Sequence, residues 1–153
     1  MHGRLKIAAV VRRLRPTIVL APYWGGPPGR GIGHTDHQAA GYLVSHGVNF
    51  AHLRALSLEG EPHTVSDILY YLFPLDLPPT FVLEVYEEID GWVEALKCQR
   101  SQFYNPQTQR YDAIERFLAV ARARGFALGL GYAQGFIARG PPHIDDPFRL
   151  VVQ

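Results

Sequence analysis

Residues Thr17–Gln38 read TIVLAPYWGGPPGRGIGHTDHQ and combine three local patterns. The first five, Thr17–Ala21, form an apolar run rich in β-branched residues, which is typical of a strand covered on both faces in a parallel sheet. The glycines and prolines that follow predict a loop from Tyr23 to Gly33. The loop leads into a helix, and in open α/β proteins such a strand–loop–helix junction faces the ligand crevice.

The helix after this loop has a recognisable beginning. Thr35 and Gln38 have the spacing of a capping box, which makes Thr35 the predicted N-cap. One apolar stripe then extends to about His52, although Gly41 and Gly47 weaken the helix. The stripe consists of Ala39, Ala40, Leu43, Val44, Val48 and Ala51.

The rest of the chain predicts a single α/β domain without internal repeats. An amphipathic helix precedes Pro16, which ends it. Two strands are predicted at residues 68–73 and 81–85, and a turn-rich tail ends in a short strand at residues 150–152. Two helices are predicted at residues 86–100 and 109–124, the second with Gly125 as its C-cap.

Composition excludes several classes of protein. A net charge of +1 over 153 residues argues against a dedicated nucleic-acid or membrane-surface binder. No window approaches the roughly 18 apolar residues of a membrane span. A single cysteine, Cys98, excludes an internal disulfide and predicts a reducing, cytoplasmic location. The early basic residues have helical spacing and predict a solvated face; they are Arg4, Lys6, Arg12, Arg13 and Arg15.

The segment His34-Thr35-Asp36-His37 places three chemically capable side chains within four residues. The positive end of a helix dipole disfavours imidazolium, which keeps His37 neutral and able to bind a metal. Asp36 is suited to orienting a neighbouring imidazole. The same residues also suit an ordinary capped helix, and spacing alone does not decide between the two readings. Other histidines and acids show no ligand spacing to His37; they are His46, His52, His63, His143, Asp145 and Asp146.

Four segments in order, RRLRPTIVLAPYW, HTDH, EALKCQRSQF and GYAQGF, resemble the LmbE-like (PIG-L) family of zinc-dependent N-acetylglucosaminyl deacetylases. The branch that they resemble most is that of the bacillithiol-biosynthesis deacetylases. The resemblance implies a Rossmann-like, three-layer α/β domain with a mainly parallel sheet. It also implies a small amino-sugar substrate, such as GlcNAc-malate, and assembly into homo-oligomers.

The family motif H-P-D-H gives roles to residues of this chain. By resemblance, His37 is a ligand of Zn²⁺, His34 is a catalytic group that stabilises the oxyanion or protonates the leaving amine, and Asp36 supports His34. The family often has a substrate-binding arginine directly before the motif. Gly33 occupies that position here, and Arg30 is the candidate substitute.

The chain departs from the family in lacking its other motif, H-P-D-D, which supplies two zinc ligands and the general base. Residues 1–153 are therefore expected to form the C-terminal two-thirds of the domain, with the N-terminal part missing. One ligand cannot hold catalytic zinc, which takes three, so this chain alone is expected to be inactive and to expose an apolar sheet edge. The alternative is a non-catalytic remnant that acts as a binding or assembly module.

Overall fold

The computed structural model describes residues 2–26, 34–146 and 148. They divide into two compact units, unit 1 within Met1–Thr80 and Phe136–Gln153 and unit 2 within Phe81–Gly135. The elements are, in order, α1 (His2–Leu14), β1 (Ile18–Pro22), α2 (Thr35–Ala51), β2 (Asp67–Tyr71), β3 (Phe81–Glu84), α3 (Ile89–Lys97), α4 (Arg100–Phe103), α5 (Asp112–Phe126) and β4 (Ala133–Phe136). The predicted strand at residues 150–152 lies outside the described residues.

Unit 1 contains the parallel pair that the apolar runs predicted. Strand β1 pairs with β2 from Ile18 opposite Asp67 to Pro22 opposite Tyr71. Buried side chains of both strands, of helices α1 and α2 and of Val65, two residues before β2, form one apolar core. Its members are Ala8, Val11, Ala21, Val48, Ala51, Val65 and Ile68. The mainly parallel α/β class is confirmed, with a small sheet.

The other face of β1 is open within the described residues. Ile18 is 50% exposed and Leu20 is 58% exposed, because successive strand residues point to opposite faces and the core lies on one of them. The prediction of cover on both faces is therefore wrong for this part of the chain. This exposed apolar surface is a face of the sheet, whereas the expectation from sequence concerned its edge.

Two glycines of α2 allow its neighbours to approach closely. A Cβ at Gly47 would lie 2.5 Å from side-chain atoms of Ile7, so this glycine is where α1 crosses α2. A Cβ at Gly41 would overlap the carbonyl oxygen of Pro22, so this glycine is where the end of β1 meets α2. Both residues weaken the helix locally, and both are required by packing.

Gly41→Ala should separate α2 from β1 and lower the free energy of unfolding by about 2 kcal/mol, a typical cost of overpacking. The matched control is Gly91→Ala in α3, because a Cβ there meets nothing within 4 Å. That control should stabilise the protein by about 0.5–1 kcal/mol through helix propensity alone. Chemical denaturation of both variants measures the difference. Equal effects would show that Gly41 is not a packing glycine.

Arg12 is buried, which corrects the prediction of a solvated basic face. It is 3% exposed, and its guanidinium donates to the carbonyl oxygens of five residues. The acceptors are Ala51 and Leu53 at 2.9 and 2.7 Å, and Leu56, Leu58 and Gly60 at 3.2–3.4 Å. Arg12 thus caps the C-terminal end of α2 and organises the loop that follows. Helical spacing alone could not separate it from its exposed neighbours.

Unit 2 contains strand β3, the helices α3–α5 and all of strand β4 except its last residue, and β3 pairs with β4. Phe117 of α5 packs edge-on against Trp92 of α3 and Phe103 of α4, at ring-centroid distances of 6.4 and 5.8 Å. The single helix predicted for residues 86–100 is shorter and is followed by α4, because the backbone leaves helical geometry at Gln99.

Two further predictions in unit 2 are wrong. Helix α5 continues past Gly125 to Phe126, and Ala127 is its C-cap. Gly125 instead allows close packing, since a Cβ there would lie 2.8 Å from the carbonyl oxygen of Leu130. The second wrong prediction is that residues 133–136 are turns, which their glycine and small residues suggested; they form strand β4.

No helix in the described part of the chain has both the length and the apolar composition to cross a membrane.

Candidate metal centre at the start of helix α2

The candidate centre lies at the carboxyl end of β1. Gly41 contacts Pro22, the last residue of that strand. His37 precedes Gly41 by four residues, so it lies on the same face of α2, one turn closer to the N-terminus. His37 is therefore beyond the carboxyl end of the parallel pair, where open α/β sheets bind ligands.

The cap of α2 is His34, which corrects the predicted capping box. The Nδ1 atom of His34 accepts a hydrogen bond of 3.2 Å from the backbone N–H of Asp36. The side chain of Gln38 does not turn back to the cap, since its Nε2 donates to the carbonyl oxygen of Gly26 at 2.8 Å. An imidazole nitrogen thus performs the role expected of the Thr35 hydroxyl.

The capping bond fixes the tautomer of a neutral His34. Because Nδ1 accepts, the ring proton is on Nε2. The nearer carboxylate oxygen of Asp36 is 3.7 Å from Nδ1, beyond hydrogen-bonding distance, and the Asp36 side chain is 87% exposed. Asp36 therefore contacts His34 through its backbone N–H, with its carboxylate close by.

His37 has an unsatisfied buried nitrogen. Its Nδ1 is buried and has no hydrogen-bond partner among the described residues. An unpaired buried polar atom is costly and calls for an explanation, such as a bound ion. The rings of His34 and His37 are 5.7 Å apart between centroids, so they are neighbours at the start of α2.

The donor set fits one part of a zinc site. His37 has the chemistry of a ligand, and its free nitrogen is consistent with that role. Within the ranges that the structure describes, however, no three His, Cys, Asp or Glu side chains come together as a metal site would require. The substrate-binding candidate, Arg30, lies outside those ranges.

Other histidines of unit 1 have contacts of their own. His63 Nε2 is 2.8 Å from the carbonyl oxygen of Pro16, and the His46 ring packs on Tyr42 at 4.3 Å. His52 is exposed at the C-cap of α2. None of these contacts brings a further imidazole to His37.

Sequence reasoning missed a buried serine near the centre. Ser45 Oγ contacts Trp24 Nε1 at 2.9 Å and the hydroxyl of Tyr70 at 2.8 Å. It also donates to the carbonyl oxygen of Gly41 at 2.7 Å. The signal in the sequence is a single hydroxyl on the otherwise apolar buried face of α2, which is weak without the partners.

Comparison with known proteins supplies the context for this geometry. No family profile matches the chain. A solved structure, the conserved protein TT1542 from Thermus thermophilus, is 35% identical with a TM-score of 0.78, covering 94% of this chain and 60% of that one. The chain has the LmbE-like fold.

Two more solved structures share the LmbE-like fold. N,N'-diacetylchitobiose deacetylase from Pyrococcus horikoshii, with a bound inhibitor, gives a TM-score of 0.74 at 23% identity, covering 98% of this chain and 56% of that one. GalB, the 4-carboxy-2-hydroxymuconate hydratase of Pseudomonas putida, gives 0.71 at 17% identity, covering 95% and 61%. At these identities the likeness concerns the fold alone.

A curated relative adds sequence similarity to the likeness of fold. Diacetylchitobiose deacetylase of Thermococcus kodakarensis is 28% identical over 137 residues. The alignment covers 86% of this chain and 48% of that protein. The chain thus spans about half the length of this relative.

Proposed function

We propose that this chain belongs to the LmbE-like (PIG-L) family and forms part of a zinc-dependent N-deacetylase, which hydrolyses the N-acetyl group of a GlcNAc-type sugar. The observation that carries the proposal is the buried, unpartnered Nδ1 of His37, beyond the carboxyl end of β1. Similarity to a protein named diacetylchitobiose deacetylase supports the reaction class. The family resemblance supports zinc as the metal.

The residues of this chain have distinct parts in the proposed reaction. Zinc, when bound, polarises an amide carbonyl and lowers the pKa of a bound water. His37 holds the metal. His34 carries its proton on Nε2 and offers it as a hydrogen bond to the acetamido oxygen or to the leaving amine. Asp36 supports His34 through its backbone N–H, which donates to Nδ1 and so holds the ring with Nε2 free to act.

The chain is proposed to be the C-terminal part of a larger LmbE-like domain. The half-exposed side chains of Ile18 and Leu20 support this view, because an apolar sheet face is normally covered. The further zinc ligands would then come from outside the described residues. Assembly into homo-oligomers stays a prediction of the family resemblance.

The substrate is proposed to be a small N-acetylated amino sugar. The relative from Thermococcus kodakarensis favours diacetylchitobiose, whereas GlcNAc-malate rests on the resemblance to the bacillithiol branch. Both compounds should be assayed. Substrate specificity in such sites depends on loops, and the residues of the candidate metal centre do not choose between the two sugars.

The test is zinc-dependent release of acetate by purified protein that includes this chain. Acetate should form in the presence of zinc and cease after chelation. His34→Asn keeps an N-cap acceptor but removes the imidazole, so it should retain zinc and lose about 100-fold or more in kcat, the usual range for a general acid.

Two results would contradict the proposal. The first is a folded, zinc-saturated protein that releases no acetate from either sugar. The second is a His34→Asn variant with an unchanged rate. A folded protein that neither binds zinc nor releases acetate would favour the non-catalytic binding or assembly module, an alternative consistent with the lack of a three-ligand cluster among the described residues.

A further inference from the structure

The Ser45 hydroxyl has its hydrogen-bonding capacity fully used. Its one proton is donated to Gly41, so Tyr70 and Trp24 must both donate to its oxygen. Ser45 is 7% exposed. Loss of the oxygen would leave the indole N–H of Trp24 without its protein partner in a partly buried position, which is costly.

These bonds connect three segments near the candidate metal centre. Trp24 lies two residues beyond β1, Ser45 lies in the middle of α2, and Tyr70 lies in β2. The Gln38–Gly26 bond of 2.8 Å ties the same post-strand segment to the first turns of α2. The segment Tyr23–Gly26 is therefore hydrogen-bonded to α2 at Ser45 and Gln38, and the Trp24 ring also packs edge-on against Tyr42 of α2, with 5.5 Å between centroids.

Of the bonds to Ser45, only the one from Trp24 holds the segment that leads towards His34. The Tyr70 bond joins α2 to β2, two elements that already pack in one core. If Ser45 only stabilised the fold, loss of either bond would have a similar effect. If Ser45 positions the segment, loss of the Trp24 bond would have the larger effect.

We propose that Ser45 is a positioning residue that acts through Trp24, holding Tyr23–Gly26 against the first turns of α2, which carry His37. The catalytic consequence rests on the proposed deacetylase function, whereas the structural consequence does not. The chain offers a matched pair of variants, because Ser45→Ala loses the Trp24 bond and Tyr70→Phe loses a bond to the same oxygen while keeping its ring.

The structural experiment uses the fluorescence of Trp24. The 153-residue chain has two tryptophans, so in this chain by itself Trp92→Phe leaves Trp24 as the single reporter. In this background, Ser45→Ala should raise the acrylamide quenching constant about twofold, because the indole loses its buried partner. Tyr70→Phe should leave the quenching constant at the parental value.

The kinetic experiment uses the same pair, with Trp24→Phe as a second way to remove the bond. Ser45→Ala and Trp24→Phe should lower kcat/KM about tenfold at temperatures well below Tm, since small displacements of a site are costly to the rate. Tyr70→Phe should change kcat/KM by less than about twofold, because it keeps the Trp24 bond and so does not displace the site. Zinc affinity should be unchanged in all three, because His37 lies on α2 itself.

Equal quenching in Ser45→Ala and Tyr70→Phe would overturn the inference, as would equal losses of kcat/KM in the two variants. A parent protein that releases no acetate would contradict the proposed function alone. The quenching comparison would then decide whether Ser45 holds Trp24.

Discussion

Replacing His37 with alanine is expected to weaken zinc binding greatly while leaving the fold intact. The ring contributes a buried Nδ1 without a partner in the described structure, so its removal deletes a candidate ligand and breaks no hydrogen bond of that atom. Zinc affinity should fall by about 100-fold or more, since even groups that only orient ligands are worth 10- to 100-fold. Competition with a chromophoric chelator measures the affinity, and circular dichroism checks the fold.

A second histidine on the same helix provides the control. His52 carries the same imidazole side chain as His37 but is exposed at the C-terminal end of α2. His52→Ala should retain the zinc affinity of the parent. If His37→Ala also retained it, the ligand assignment would be wrong.

Arg12→Met is expected to cause the largest loss of stability. The variant keeps much of the aliphatic stem but loses hydrogen bonds to five carbonyl groups in and after α2. Bonds from a charged donor are worth about 1.5–3 kcal/mol each and are not additive, so we expect a loss of about 4 kcal/mol. For a chain of this size that corresponds to a fall in Tm of about 10 °C.

Two further variants test whether the loss of stability in Arg12→Met comes from the buried hydrogen bonds or from the loss of the charge. Arg13→Met removes the same charge from an exposed neighbour and should change stability by less than about 0.5 kcal/mol. Arg12→Lys keeps the charge but lacks the planar fork of donors, so it should recover less than half of the loss. An Arg12→Met protein that melts within about 2 °C of the parent would contradict the assigned role.

The features predicted well from sequence are those determined by neighbouring residues. The apolar run of β1 and the stripe of α2 each identify an element, because strand and helix periodicities are visible within one segment. The importance of His37 came from its motif, since spacing alone favoured an ordinary helix cap. The buried Nδ1 is the structural support for that choice.

The features that were missed depend on residues far apart in the chain. Arg12 bonds to carbonyl groups 39 to 48 positions away, and Ser45 bonds to Trp24 and Tyr70 across 21 and 25 positions. No local pattern reports such contacts. The cap was misassigned for a different reason, because threonine is a common N-cap and histidine a rare one.

The most direct measurement of the central claim is the position of zinc in crystals of the zinc-loaded protein, located by anomalous scattering at the zinc edge. We expect a peak about 2.0–2.1 Å from a ring nitrogen of His37, the usual Zn–N distance. The peak should also lie beyond the carboxyl end of β1. Zinc bound elsewhere, with His37 free of metal, would show that His37 is not a ligand.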